Sequence, residues 1–331
     1  MKLATYDHQG RVRLGALLDP ETLLDLAAAR AEAGTGPDAA LGSMQALIEA
    51  GPAALEETRG LVAAAPAGAR VALRDVTLLA PLPRPVQMRD FLCFETHLKQ
   101  SIAAMVRMQA ARAHDPAAAE EAARASGKTE IPAVWYRQPV YYKCNRFAVT
   151  GPDRTVVWPV YSEMMDFELE MAAVIGIGGR DIPKEGARDH IFGYTVFNDL
   201  SARDAQSAEM PGMLGPAKGK DFDEANVLGP YLVTADEIPD LYALTMTAKV
   251  NGEIWAEESS GSIHWTFEDM IAHASRGETL YPGEVIGSGT VGNGCGLEHM
   301  RFLGHGDRID LTIERIGTLT TTVKRPEGAA S

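Results

Sequence analysis

Apolar and polar positions along this chain follow a strand rhythm over most of its length, with helical spacing confined to a few stretches. Lys2–Tyr6 and Val12–Leu18 read as short strands around a turn at His8–Gly10, while Glu21–Ala31 and Met44–Ala50 space their apolar residues as a helix does. Val71–Gln87 (VALRDVTLLAPLPRPVQ) starts as a strand and breaks into prolines. That break marks a boundary between a small N-terminal domain over 1–75 and a main domain over 76–331. Leu98–Ala111 carries Leu98, Ile102, Met105 and Met108 at helical spacing. His114-Asp115-Pro116 interrupts it, an Ala/Glu-rich helix follows, and Ser126-Gly127 ends that helix. Residues 98–130 thus read as an inserted helical excursion, either a lid or a solvated hairpin.

Strands dominate from Val140 onward: Val140–Lys143, Glu168–Ile175, Tyr194–Asn198, Tyr231–Thr234, Leu244–Val250, Val285–Gly287 and Arg308–Ile313. Turn signals at Gly178-Gly179, Asn251-Gly252 and Pro282-Gly283 separate some of them. Helices there are short, near Lys184–His190 and Thr266–Ala274. The βαβ alternation of a doubly wound sheet is missing, so the fold class is a strand-rich α+β.

Composition sets limits on partners. The 331 residues are 46% hydrophobic and 23% charged, which is globular rather than disordered. The net charge of −14 opposes sequence-independent binding to nucleic acid or an anionic membrane, both of which need clustered cations. Cys93, Cys144 and Cys295 are too few and too scattered for a disulfide framework and fit a reducing compartment. The opening MKLATYDHQG has no apolar signal core, and no run reaches the roughly 18 apolar residues of a membrane span. A cytoplasmic protein is expected.

Four stretches carry candidate chemistry. In MDFELEMAAVIG (Met165–Gly176), Glu168 and Glu170 lie two apart in a strand and project from one face. Paired carboxylates repel unless a cation lies between them, and hard oxygen donors suit Mg²⁺, Mn²⁺ or Ca²⁺; the alternative is a solvated Glu pair on an edge strand. GYTVFNDLSARDAQ (Gly193–Gln206) ends an apolar strand in acids that could complete an oxygen cage, with Asp199 and Asp204 unranked by spacing. Arg203 there could grip a substrate carboxylate, or else the segment is a capped helix with Arg203 and Asp204 in surface pairs. In RDFLCFETHLKQ (Arg89–Gln100), His97 is a candidate general base, or a structural histidine. Lys220 in GPAKGKDF is a fourth candidate beside a solvated loop lysine; the glycine spacing and the following Asp221 exclude a P-loop. GSGTVGNGCG (Gly287–Gly296) lacks both GxGxxG and a flanking βαβ unit, so no dinucleotide site is read there.

The ordered series DFxxxxxH, DxELE, NDxSARDxQ, GPxxGKDF, VNGE and GSGT, from about Asp90 to Thr318, resembles the fumarylacetoacetate hydrolase family. The resemblance implies a β-roll core with a small N-terminal domain and a helical lid, usually a homodimer. It further implies one divalent cation, Mg²⁺ before Ca²⁺ or Mn²⁺, on Asp90, Glu168, Glu170 and Asp199. It makes His97 the catalytic histidine, with Arg203, Gln206 and Lys220 catalytic and substrate-contacting, Tyr142 an aromatic substrate contact, and Gly289-Thr290 the glycine-rich turn from which Thr290 contacts substrate. Some relatives place a Glu three residues after the histidine, where this chain has Gln100; others take the carboxylate from a C-terminal strand, which points to Asp310 or Glu314. A substrate-touching Thr of some members is absent from Asp221-Phe222-Asp223-Glu224. The implied activity is metal-dependent hydrolysis of a carbon–carbon bond in a 1,3-diketone or acylpyruvate-type 2-oxo acid. The alternatives are an oxaloacetate-type decarboxylase, a keto–enol isomerase, or a non-catalytic metal-binding protein of this fold.

Overall fold

The computed structural model describes residues 1–34, 36 and 38–326. The main row of its central sheet is β1 (Lys2–His8), β2 (Arg11–Asp19), β3 (Thr22–Asp25), β4 (Arg70–Ala72), β5 (Met88–Phe91), β6 (Tyr141–Lys143), β7 (Leu169–Ile175), β8 (Ile191–Asp199), β9 (Asn226–Thr234) and β10 (Val285–Gly287), with two short strands, Thr77–Leu78 and Val149–Thr150, paired beside β1 and β9. The strands of the main row lie side by side in the order β4-β3-β2-β1-β9-β8-β7-β10-β5-β6. The β1–β2 hairpin joins this sheet through antiparallel pairing of β1 with β9. A second, five-stranded sheet of Glu253–Ser259, Thr245–Val250, Arg308–Ile313, Gly317–Lys324 and Arg154–Val157 closes over one face. This is the strand-rich α+β architecture expected of the β-roll.

β7 and β8 are buried at every residue, because both faces of the sheet are covered. Leu169, Met171, Ala173 and Ile175 point into the main core, which they share with Met246, Ile309, Leu311 and Leu319 of the second sheet. Ala172 and Val174 point the other way, toward a second core that includes Met88, Phe197 and Leu232. The strand period of two therefore puts Glu170 on this second face.

The helices are α1 (Leu26–Glu32), α2 (Met44–Ala50), α3 (Pro52–Ala64), α4 (Glu95–Ala110), α5 (Pro116–Ala125), α6 (Arg203–Glu209), α7 (Ala217–Lys220), α8 (Phe267–Ser275) and α9 (Gly296–His299). The helix read over Glu21–Ala31 is in fact strand β3 followed by α1. Pairing of Thr22–Asp25 with β2 overrides the apolar spacing, and the Asp25 side chain caps α1 by accepting from the Ala28 amide. Lys184–His190 is a 3₁₀ helix after Pro183. The excursion forms α4 and α5, but its buried stripe is His97, Ser101, Ala104 and Met108 rather than Leu98, Ile102, Met105 and Met108. Ile102 and Met105 instead line a groove toward Ala119 and Ala122 of α5. Small Ser101 and Ala104 let α4 lie close to Cys295 and Leu297. Among the described residues no helix is long and apolar enough to cross a membrane.

Candidate active site

Asp90 on β5, Glu170 on β7 and Asp199 at the end of β8 bring one carboxylate oxygen each to within 4.8 Å of one another. All three are buried. What makes room for them is a missing side chain on β10, which lies between β5 and β7. A Cβ on Gly287 would stand 2.5 Å from Asp90 Oδ1 and 3.2 Å from Glu170 Oε2. Beyond it the chain turns through Gly289, in the left-handed region at φ 73°. The Gly289 amide donates to Asp90 Oδ1 at 3.2 Å and to Glu170 Oε2 at 3.1 Å. Thr290 Oγ1 donates to Glu170 at 3.4 Å, and Tyr142 OH to Asp199 Oδ2 at 2.7 Å.

Crowding and burial show in the titration of these acids. Burial and the Asp199 charge push Asp90 up to about 8. Burial raises Glu170 well above the carboxylate range, helped by Asp90 and Glu168. Asp199 is pushed up to about 6 by burial, against the Lys220 charge. Asp199 Oδ1 is buried without a hydrogen-bond partner. Three acids with converging oxygens, in a cradle kept open by a glycine and with Asp199 Oδ1 lacking a partner, fit a hard divalent cation.

Glu168, just before β7 and two residues from Glu170, sends its carboxylate into a different network. Oε1 accepts from Arg203 at 2.8 Å and Oε2 from Lys220 at 2.5 Å. Burial would raise this acid, yet Lys220 and Arg203 hold it well below the usual range. Lys220 also donates to Asp199 Oδ2 at 2.6 Å, so it joins the two networks. Arg203 is buried at the start of α6, and its remaining nitrogens reach Asp166 Oδ2 at 2.8 Å and Gln206 Oε1 at 3.0 Å. The guanidinium is thus held from three sides and acts as an internal brace. Asp204, on the outer side of α6, anchors Ser162 and the Glu163 amide, which separates it from Asp199.

His97 is buried on α4, and Glu298 of α9 accepts at its Nδ1, 3.1 Å away. The carboxylate beside the histidine is therefore Glu298, not Asp310 or Glu314. Asp310 accepts from Thr320 and Arg308 within the second sheet, and Glu314, in the turn that follows, accepts from the Thr245 amide. Glu298 is itself fixed by the amides of Asn293 and Cys295. Gln100 reaches the same loop, donating to Asn293 Oδ1 at 2.7 Å. Glu298 sits in no strand pattern, and its one local signal is its place just after the glycine-rich run. Asp166, fully buried, accepts from the Gly296 and Leu297 amides as well as from Arg203. It lay in the DxELE motif without an assigned role.

Residues 111–324 match the model of the fumarylacetoacetate hydrolase C-terminal domain. An oxaloacetate tautomerase of Bacillus subtilis is 31% identical over 98% of this chain and all of that protein. The chain belongs to the fumarylacetoacetate hydrolase family. An uncharacterised Staphylococcus epidermidis protein is 38% identical across 54% of this chain and 58% of its own length. Among solved structures, a fumarylacetoacetate hydrolase from Exiguobacterium antarcticum superposes with TM-score 0.72 at 25% identity, over 98% of this chain and all of that one. Maleylpyruvate hydrolase of Sphingobium sp. SYK-6, complexed with manganese(II) and pyruvate, gives 0.71 at 25% identity over 99% and 100%. Members of this family are enzymes.

Proposed function

We propose that this protein is a divalent-cation-dependent enzyme that interconverts keto and enol forms of a small 2-oxo diacid of the oxaloacetate type. The observation that carries this reading is the conjunction of a three-carboxylate cradle with a buried histidine backed by its own carboxylate. The full-length likeness to an oxaloacetate tautomerase supports it. When bound on Asp90, Glu170 and Asp199, a cation such as Mg²⁺ or Mn²⁺ supplies a Lewis acid that makes the C–H beside a chelated carbonyl more acidic.

The chain's own side chains do the rest. His97 takes the proton from carbon and returns it to the enol oxygen, or the reverse. Glu298 at Nδ1 orients the ring and stabilises the imidazolium that forms. Lys220 donates to the substrate oxygen as negative charge develops there, an effect typically worth about 3 kcal/mol per donor. Glu168 keeps Lys220 in place, and Arg203 keeps Glu168 and Gln206 in place. Tyr142 and Thr290 orient Asp199 and Glu170.

A second reading uses the same residues for carbon–carbon hydrolysis of an acylpyruvate, with His97 taking its proton from water. The likeness to maleylpyruvate hydrolase favours it. Oxaloacetate and a panel of acylpyruvates, followed by enol absorbance and by pyruvate release with and without EDTA, separate the two. Metal-dependent enol decay of oxaloacetate without pyruvate release supports the tautomerase. Pyruvate from acylpyruvates alone would move the reading to hydrolysis, and from oxaloacetate to decarboxylation. Tight binding with no turnover would leave a metal-dependent binding protein.

A further inference from the structure

A second set of donors converges beside the carboxylate cradle. His97, Cys295 and Glu298 each present one atom, and the three lie within 4.8 Å of one another. His97 Nδ1 is 3.1 Å from Glu298 Oε1 and 3.9 Å from Cys295 Sγ. A tetrahedral cation with bonds of about 2.0–2.3 Å has ligand–ligand edges of roughly 3.3–3.8 Å. The observed separations of 3.1 and 3.9 Å lie within a few tenths of an ångström of that range. Ser101 Oγ, 3.4 Å from the same nitrogen, offers a fourth donor.

The chemistry of this set differs from that of the cradle. Three carboxylates suit a hard cation, whereas imidazole, thiolate and one carboxylate suit zinc and its neighbours. The thiolate and the carboxylate together balance a double positive charge, so the filled site buries no net charge. Binding requires the thiol to ionise, and its proton passes to solvent.

We propose that His97, Cys295 and Glu298 form a second cation site, selective for zinc-class ions, whose occupancy inhibits the enzyme by engaging the ring of His97. The inhibition rests on the reading of His97 as the base; the binding does not.

The test uses the full chain with saturating Mg²⁺, titrated with Co²⁺ and then Zn²⁺. One Co²⁺ per chain should give a near-ultraviolet thiolate-to-cobalt charge-transfer band, which Zn²⁺ displaces. Cys295→Ser should abolish the band and raise the inhibitory Zn²⁺ concentration at least tenfold relative to that variant's own zinc-free turnover. Cys93→Ser and Cys144→Ser are the controls, because both thiols lie within electrostatic reach of Asp90 in the cradle. Each should keep the band, and they serve as the readout should Cys295→Ser fail to fold. A band that survives Cys295→Ser, or is lost in Cys144→Ser, overturns the proposal. So does unchanged Zn²⁺ inhibition in Cys295→Ser, since zinc would then be acting at the carboxylates. A cobalt band that follows Cys295 while turnover is unaffected would keep the site and remove His97 from the mechanism.

Discussion

Glu168 immediately precedes β7 and Glu170 lies two residues further on, and substituting them should have opposite consequences. Glu168 sits between two buried cations, so Glu168→Gln leaves Arg203 and Lys220 short of a charge. Breaking a buried pair in this way costs about 3–5 kcal/mol, to be read as a lower denaturation midpoint. Glu170 sits among acids, so Glu170→Gln should leave the metal-free protein as stable or more so. Calorimetric titration with Mg²⁺ should show an affinity loss beyond the roughly 10–100-fold typical of losing a group that merely supports a ligand. Equal stability losses in the two variants would contradict this division of labour. His97→Ala should lower kcat by roughly 10²–10⁴-fold, the usual share of acid–base catalysis, with Mg²⁺ affinity unchanged. Near-native kcat in that variant would make His97 structural. Of these residues, Glu168 and Glu170 were legible because a period of two is local. Glu298 was not, since its meeting with His97 joins positions 201 residues apart.

At the scale of elements, α4 and α5 differ in how they are held. α4 buries five residues and is tied through Gln100 to Asn293, whereas α5 buries none. Hydrogen exchange should therefore be faster across Pro116–Ala125 than across Glu95–Ala110, because local opening follows the contacts that oppose it. A substrate analogue with Mg²⁺ should slow exchange in α4 if this hairpin closes over the site; equal exchange with and without it would argue for a fixed wall. The apolar stripe of α4 was visible in its spacing, but its direction was misread. Spacing identifies an amphipathic helix, while the small residues Ser101 and Ala104 take the close contact with the glycine-rich loop. The same limit applies to Thr22–Asp25, where pairing with a neighbouring strand outweighs helical periodicity.

For the whole molecule, the buried acids make stability depend on pH and on metal. Asp90 and Asp199 have folded-state values raised to about 8 and about 6. A raised carboxylate binds its proton more tightly when folded, so its contribution is present below the unfolded value and is lost as pH climbs through the folded one. Glu168 is shifted the other way and is already fully ionised above pH 5. EDTA-treated protein should thus lose thermal stability between about pH 5 and pH 8, and Mg²⁺ should raise the melting temperature more at pH 8 than at pH 5. A metal effect independent of pH would mean that the cation does not displace these protons. The family resemblance also leads us to propose a homodimer, so light scattering at micromolar concentration should give twice the 35.5 kDa chain mass. A mass near 35.5 kDa would reject it.

By itself the sequence determined the class of fold, most of the strands, the acidic overall charge and the family, since these depend on local period, composition and short motifs in order. Its motifs, through the family resemblance, grouped Asp90, Glu168, Glu170 and Asp199 as one expected ligand set. Tertiary structure alone decided that Asp90, Glu170 and Asp199 meet while Glu168 turns to Arg203 and Lys220. It decided likewise that Asp199 and not Asp204 faces the cradle, and that Glu298 stands behind His97. The physical reason is that each of these outcomes depends on strand order and register. Gly287 lies opposite Asp90 and Ala172 only because β10 inserts between β5 and β7, and no local pattern in the chain encodes that neighbourhood.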